Sequence, residues 1–387
     1  MEEGSSAMIG FELNEEQLRY QKMARTFAEQ EMKPYAAELD RRQGTTFDWG
    51  IVRRFAKANL LGLGVPREYG GLGVDHLTAA VVTEELGAAC MGMSEPAGGT
   101  WLATCCLKLV GNEDQKRRYL PLVCSENATL AGLAVTEPEA GSDMAAIRTQ
   151  ATKKGDHYIL NGTKAFITNA GLASFYIVFA TTDPRKRDSA LNAFIVDGDA
   201  KGLTLGKVEE MMGLRASQVG ELIFDNVEVP MENLLGVENT GYLIAMQTLD
   251  MSRPCMVAGS IGAARAAFET ALAYARERKQ YGRPIIHNQA IAFMLADMAT
   301  EIEAARLLTW KACWLIDQGM DSTLSSSISK VFATEMAERV CSRAIQILGG
   351  QGYTRNSPLE KYYRDVKACQ IYEGTNQIQR LIISSML

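Results

Sequence analysis

The spacing of apolar residues changes twice along this 387-residue chain, and any fold for it must accommodate both changes. From Asn14 to about Leu39, Leu18, Met23, Phe27 and Met32 recur at helical spacing behind Asn14, a good N-cap residue. Further helical segments are predicted at about 48–60, 75–89, 94–110 and 113–124. After about residue 126 the pattern becomes alternating. Phe175 to Ala180 is a buried-strand run, Ala193 to Val196 and Leu222 to Val229 add short strands, and His157 to Gly162 carries a turn signal. From Gly241 the period is helical again. Ser252 to Lys279 is rich in alanine and contains glycines that let another helix approach closely, and helices are predicted over about 287–318, 322–349 and 375–385. The order predicts an α+β multidomain chain: an N-terminal α-helical domain over 1–125, a middle β-sheet or barrel domain over 126–237, and a C-terminal four-helix-bundle domain over 238–387.

Composition narrows the function classes. Hydrophobic residues make up 47% of the chain, enough for a substantial core, and the net charge of −6 comes without a long Lys/Arg run. Neither nucleic acid nor an anionic membrane is therefore expected as a partner. No apolar run reaches membrane length, and Met1 to Ile9 carries two acids and no apolar core, unlike a secretory signal or a transit peptide. Eight cysteines without Cys-x-x-Cys spacing read as free thiols in a reducing compartment, and three widely separated histidines offer no zinc pattern. Gly62-Leu63-Gly64 and Gly70-Gly71-Leu72-Gly73 lack a preceding strand and flank Pro66, so they read as turns rather than as a dinucleotide loop. Ser327-Ile328-Ser329-Lys330 has the spacing of a penicillin-recognising nucleophile but lies mid-helix without its partner motifs, and reads as a solvated or packed helical segment.

Near the C-terminus, Ile371-Tyr372-Glu373-Gly374-Thr375-Asn376-Gln377-Ile378-Gln379-Arg380 sets one carboxylate directly before a glycine and a helix start. Two readings stand. Glu373 either complements the helix dipole, or serves as a base positioned where Gly374 lets backbone approach a ligand.

This stretch, together with Gln346 to Tyr353, the Tyr-Arg-Asp at 363 to 365, Val135 to Asp143 and Glu277 to Gly282, resembles the signatures of the acyl-CoA dehydrogenase family. The similarity runs in order over nearly the whole chain. It implies an FAD enzyme that removes an α proton and a β hydride from an acyl-CoA thioester and passes the electrons to an electron-transfer flavoprotein. It also implies that Glu373 is the base, with its own backbone N–H among the donors to the thioester carbonyl. Family members place the base at one of two positions, and the second is Ser252 here, as in the short- and medium-chain type.

The rest of the expected site follows from the same resemblance. Leu133, Val135, Thr136, Gly141 and Ser142 belong to a segment along the flavin ring, and Phe166, Ile167 and Thr168 cover its other side, with Phe166 where many relatives have Trp. Arg278 is expected to reach the FAD pyrophosphate of a neighbouring subunit, accompanied by Gln280 and Tyr281, while Gln289, Gln346, Gly349 and Gly350 resemble contacts to the adenine and ribose end and Thr375 and Gln377 lie near the pyrophosphate. Ser142, Asp250, Arg253, Tyr372 and Gly374 resemble residues along the acyl-CoA path, although Arg253 before Pro254 also reads as a helix-start structural arginine. A shared site implies an oligomer, most often a homotetramer in this family. Gly98 and Gly99 remove bulk from the helix that floors the acyl pocket, which suits a small to medium acyl group, branched or cyclic shapes included, or simply permits close packing. The cytoplasm of a bacterium, or the mitochondrial matrix for a mature eukaryotic chain, fits these features. The same scaffold also admits an enoyl-CoA reductase, an acyl-CoA oxidase or a noncatalytic CoA-ester binder.

Overall fold

The computed structural model describes residues 11–41, 47–124, 126–127 and 129–387. The acidic start at 1–9 and the expected boundary at residue 125 fall outside these. The chain begins with α1 (Glu15–Phe27) and α2 (Lys33–Arg41), joined by one π-helical turn, followed by α3 (Trp49–Lys57), α4 (His76–Val110) and α5 (Glu113–Tyr119). Asn14 caps α1 as the sequence predicts. Its Oδ1 accepts from the Gln17 N–H at 2.9 Å while Gln17 Oε1 accepts from the Asn14 N–H, so two orphan donors are satisfied reciprocally.

The two helices expected at 75–89 and 94–110 are one element, α4, bent where Cys90 leaves helical geometry at φ −169° and ψ 107°. Beyond the bend the helix runs through Pro96, whose carbonyl accepts from Thr100 Oγ1 at 2.9 Å and from Asn169 Nδ2 at 2.9 Å. The bent half of α4 is thereby fastened to the sheet.

The middle region is β1 (Leu130–Ala134), β2 (Gln150–Lys154), β3 (His157–Thr168), β4 (Ala173–Thr181), β5 (Leu191–Asp197), β6 (Leu203–Val208), β7 (Val219–Pro230) and β8 (Leu234–Leu235). Spatial order is β6-β7-β3-β2-β4-β5-β8, with β1 parallel to β4. The turn expected at Asn161-Gly162 is not a turn. It lies inside β3 at a break in register opposite β7, where Gly162, at φ +152°, passes so close to Thr149 that a Cβ would meet its Oγ1 at 2.6 Å. The hairpin turn is the two-residue Gly155-Asp156, with Gly155 at φ +62° between the paired Lys154 and His157.

The C-terminal region is α6 (Gly241–Glu277), a short hairpin of β9 (Lys279–Gln280) and β10 (Arg283–Pro284), then α7 (Gln289–Asp317), α8 (Thr323–Leu348), α9 (Leu359–Cys369) and α10 (Asn376–Ser385). Helix α9 was not expected. Its buried face of Leu359, Tyr362, Val366 and Cys369 also carries Lys361 and Asp365, whose buried ion pair hides the apolar stripe from a sequence reading. Asp365 Oδ1 accepts from the Leu214 N–H at 2.7 Å, tying α9 to the loop before β7.

The glycines in α4 and α6 do what their spacing suggests. A Cβ on Gly87 would stand 2.3 Å from the Gly259 carbonyl oxygen, and one on Gly262 would stand 1.9 Å from that of Glu84. Around this crossing, Arg265 and Arg306 pair with Glu84 and Arg25 and Arg265 pair with Glu85, so both buried carboxylates are neutralised. Gly262→Ala is therefore expected to push the helices apart at a cost of about 1–3 kcal/mol, a Tm loss of several degrees, whereas Gly259→Ala, whose Cβ finds its nearest neighbour at 3.6 Å, is expected to lose far less; thermal melts of the two variants side by side check this.

Candidate active site

Glu373 sits in the loop between α9 and α10 with φ +54°, and Gly374 follows at φ +84°. Two successive left-handed residues make a sharp reversal, which a non-glycine residue adopts at a cost and holds only when its surroundings insist. Glycine suits position 374, whose φ L side chains rarely adopt and where a Cβ would meet Gln379 Nε2 at 2.6 Å. Thr375 then caps α10, its side chain accepting from the Ile378 N–H at 3.3 Å.

Three side chains hold this reversal by its backbone. Lys330 Nζ, from the middle of α8, donates to the Gly374 carbonyl and to Asn376 Oδ1, both at 2.8 Å. Arg253 Nε, from α6, donates to the Glu373 carbonyl at 3.3 Å, with its Nη1 on Asp250 Oδ1 at 2.7 Å, and Gln379 Nε2 reaches both carbonyls at 3.2 Å. Arg253 is buried within α6, not at a helix start, and Asp250 is anchored in turn by Thr323 Oγ1 at 3.1 Å. Lys330 is only 1% exposed, and burial pulls its ammonium down to about 8. The Ser-x-x-Lys segment is thus neither a nucleophile nor an idle stretch of helix. Its lysine fastens the loop that carries the carboxylate.

The carboxylate itself is left almost free. Among the described residues Glu373 Oε1 has no hydrogen-bond partner, and Oε2 has only Ser252 Oγ at 3.5 Å. Burial pushes the Glu373 carboxyl up to about 7, against the opposing pull of Arg253 and Lys330. Among the described residues none accepts from the Glu373 N–H, so a donor is open beside the acid.

The sheet and α4 face the same region. Gly99 packs so closely on the end of β3 that a Cβ would stand 2.8 Å from Thr168 Cγ2, and a Cβ on Gly98 would stand 2.8 Å from Met256 Cε of α6. Asn169 Nδ2 also donates to the Ala131 carbonyl at 2.8 Å, and the Ala165 N–H donates to the Thr136 carbonyl at 2.9 Å, so the ends of β1 and β3 are stitched together. Thr136 and Thr168 stand half-buried at those ends, and among the described residues no partner takes either hydroxyl. Leu133 and Val135 are half-buried beside Thr136, Ile167 is buried, and Gly141 and Ser142 are exposed. Phe166 is 61% exposed at φ +57°, where β3 breaks register with β7 between Lys164 and Ile167; the irregularity turns the aromatic ring outward.

The remaining expected contacts lie elsewhere. Arg278, Gln280, Tyr281 and Gln289 are exposed at the junction of α6 and α7, and Gln346, Gly349 and Gly350 are exposed at the C-terminal end of α8. Along α6, Arg278 is roughly 40 Å from Ser252. One protomer therefore does not bring Arg278 together with Glu373, which lies beside Ser252. Gln377 is exposed and Thr375 half-buried at the start of α10.

Two residues of the site had no role in the sequence reading. One is Lys330. The other is Glu95 on α4, 8% exposed and pushed up to about 8 by burial, with the charges of Glu373 and Asp365 adding to the rise. The signal for both was a charged residue at an inward-facing helical position.

Comparison with known proteins places this architecture. Models of the acyl-CoA dehydrogenase N-terminal, middle and C-terminal domains match residues 14–127, 132–227 and 239–387. The chain is 41% identical over 382 residues to the short-chain-specific acyl-CoA dehydrogenase of Clostridium acetobutylicum, covering 98% of this chain and 100% of that one. Butyryl-CoA dehydrogenase from Megasphaera elsdenii superposes with a TM-score of 0.94 at 37% identity, covering 98% and 99% of the two chains. A solved structure of the electron transferring flavoprotein of Acidaminococcus fermentans matches with a TM-score of 0.94 at 40% identity, again over 98% and 99%.

The raised carboxyl makes a prediction about stability. Between the ordinary carboxylate range near 4.5 and about 7, the folded chain keeps a proton on Glu373 that the unfolded chain has released, so this group's contribution to stability falls as pH rises through that window. Glu373→Gln removes the penalty. Calorimetric melts in the absence of acyl ligand are expected to show the variant level with the parent below pH 4.5 and a few degrees more stable above pH 7; an equal difference at both pH values would contradict the assignment.

Proposed function

Because the chain belongs to the acyl-CoA dehydrogenase family, oxidoreductases whose members are FAD-dependent flavoproteins, we propose that it dehydrogenates a small to medium acyl-CoA thioester between its α and β carbons with Glu373 as the base. The observation that carries this reading is the buried Glu373 carboxyl with an unpaired Oε1, its backbone fixed and its proton affinity raised to about 7. A thioester α proton is weakly acidic, and a base for it must be strong, desolvated and already in place.

Glu373 Oε1 takes the α proton. The Glu373 N–H, which no described residue uses, donates to the thioester carbonyl oxygen as negative charge develops there. Ser252 Oγ steadies the other carboxylate oxygen, and Arg253 and Lys330 keep the loop from yielding. Asp250, Arg253, Tyr372, Gly374 and Ser142 are the proposed neighbours of the acyl-CoA.

The residues present fit an FAD. The free hydroxyls of Thr136 and Thr168 at paired strand ends, with the backbone from Leu133 through Val135 to Gly141 and Ser142, offer donors and acceptors to a flat polar ring, and Phe166 and Ile167 flank it. FAD bound there supplies the two-electron acceptor for the β hydride, which no side chain can provide. Thr375 and Gln377 stand near its pyrophosphate. Arg278, Gln280, Tyr281 and Gln289 are exposed far along the bundle from Glu373, with Gln346, Gly349 and Gly350 exposed at the end of α8; the proposed partner for this set is the FAD of a second copy, in a homotetramer with shared sites. An electron-transfer flavoprotein is the proposed acceptor of the electrons, supported by the likeness to the Acidaminococcus fermentans structure and to butyryl-CoA dehydrogenase. Among the described residues no helix is long and apolar enough to cross a membrane.

Anaerobic mixing of the purified flavoprotein with butyryl-CoA tests the reading through bleaching of the flavin absorbance. The parent is expected to bleach with a rate that rises with pH through about 7, as Glu373 loses its proton. Glu373→Gln is expected to retain flavin and lose about 10³-fold or more in bleaching rate, and a variant that bleached at the parent rate would remove Glu373 from the base position.

A further inference from the structure

Near Glu373 lies a second buried carboxyl that the proposed dehydrogenation does not use. Glu95 lies on the bent half of α4 between Gly92 and Pro96, and only 8% of it is exposed. One of its oxygens, Oε2, stands 4.0 Å from where a Cβ on Gly98 would be, and that same Cβ position is 2.8 Å from Met256 Cε, so the carboxyl shares the face of α4 that looks toward α6. Gly99, next along, packs on Thr168 at the end of β3. Glu95 therefore stands within the walls that also carry Glu373 and Thr168.

Among the described residues no hydrogen bond or ion pair reaches the Glu95 carboxyl. The charged groups it senses are Glu373 and Asp365, both acids, and it acts in turn on the Tyr372 hydroxyl and the Cys369 thiol. The basic groups nearby are engaged elsewhere: Lys361 on Asp365, Arg253 on Asp250 and the Glu373 carbonyl, Lys330 on Gly374 and Asn376. Contrast Glu84 and Glu85, equally buried, each of which holds arginines. Burying a carboxyl without a donor is costly, and an alkyl chain laid against Glu95 would complete its desolvation with nothing in return. A cationic nitrogen would supply the missing partner through a charge-assisted contact.

Resting on the acyl-CoA reading above, we propose that Glu95 is a specificity-determining residue that selects an acyl thioester carrying a cationic nitrogen on its acyl chain, beyond the carbons that react. Glu95 ionises when that cation enters and stays neutral otherwise.

Two pairs of near-isosteric thioesters test this with the flavin-loaded protein under anaerobic conditions: 6-aminohexanoyl-CoA against heptanoyl-CoA, and 4-(trimethylammonio)butanoyl-CoA against 5,5-dimethylhexanoyl-CoA. In at least one pair the cationic member is expected to give kcat/KM for flavin bleaching about ten- to a hundredfold above its neutral partner. Glu95→Gln, checked for its flavin spectrum, is expected to erase that ratio. Calorimetric Kd values in Glu373→Gln, which binds without turnover, are expected to show the same preference. Neutral members favoured in both pairs by the parent protein, or a cationic preference that survives Glu95→Gln, would overturn the proposal. Failure of every thioester to bleach the flavin would instead overturn the dehydrogenase reading, so the two failures are distinct.

Discussion

The arrangement at Glu373 depends on where two cations place their hydrogen bonds. Arg253 and Lys330 both lie close enough to lower the Glu373 proton affinity, yet each donates to a backbone carbonyl of the loop and neither to the carboxylate. A direct ion pair would hold the carboxyl in its charged form and depress its pKa by one to three units, leaving a feeble base. Bonding to main-chain oxygens fixes the position of the acid and leaves its reactivity to burial. The strain of two consecutive left-handed residues is contained by the same bonds, since the Glu373 and Gly374 carbonyls that the reversal exposes are the ones that Arg253, Lys330 and Gln379 satisfy.

This local design needs a rigid surround, and the long helices provide it. Arg253 comes from α6 and Lys330 from α8, while Glu95, Gly98 and Gly99 come from α4. Glycines at the α4–α6 crossing bring these backbones into contact, and the arginines on Glu84 and Glu85 neutralise the acids buried there. On the other side, Asn169 bonds both the Pro96 carbonyl of α4 and the Ala131 carbonyl of β1, so one side chain connects the bent helix with two strand ends.

Much of this was legible from periodicity, because helices and strands with one apolar face announce themselves. The α, β, α order, the cap at Asn14, the start of α10 at Thr375 and the close-packing glycines of α6 all follow from local chemistry. What escaped was buried charge. Lys361 and Asp365 neutralise one another inside α9, so its inward stripe looks interrupted and the helix goes unseen. Lys330 looks like a surface lysine in sequence, and its acceptors, the Gly374 carbonyl and Asn376, lie over 40 residues away. Asn161-Gly162 misled for a different reason: the pair suits a hairpin, but the same left-handed freedom serves a break in strand register equally well.

The distribution of these buried charges separates two kinds of acid. Glu84, Glu85, Glu137 and Asp365 each hold a cation or backbone donors, and their role is to join elements. Among the described residues Glu373 and Glu95 hold neither a cation nor a close donor on the carboxylate, and both are pushed upward by burial, to about 7 and about 8. A fold gains no stability from such groups above the ordinary carboxylate range, since each must be either protonated or charged without a partner. Two such acids close to each other, where Glu84, Glu85, Glu137 and Asp365 are neutralised, are the mark of residues whose partners arrive with the substrate: an acidic carbon–hydrogen bond for one, and a group able to donate charge or a proton for the other.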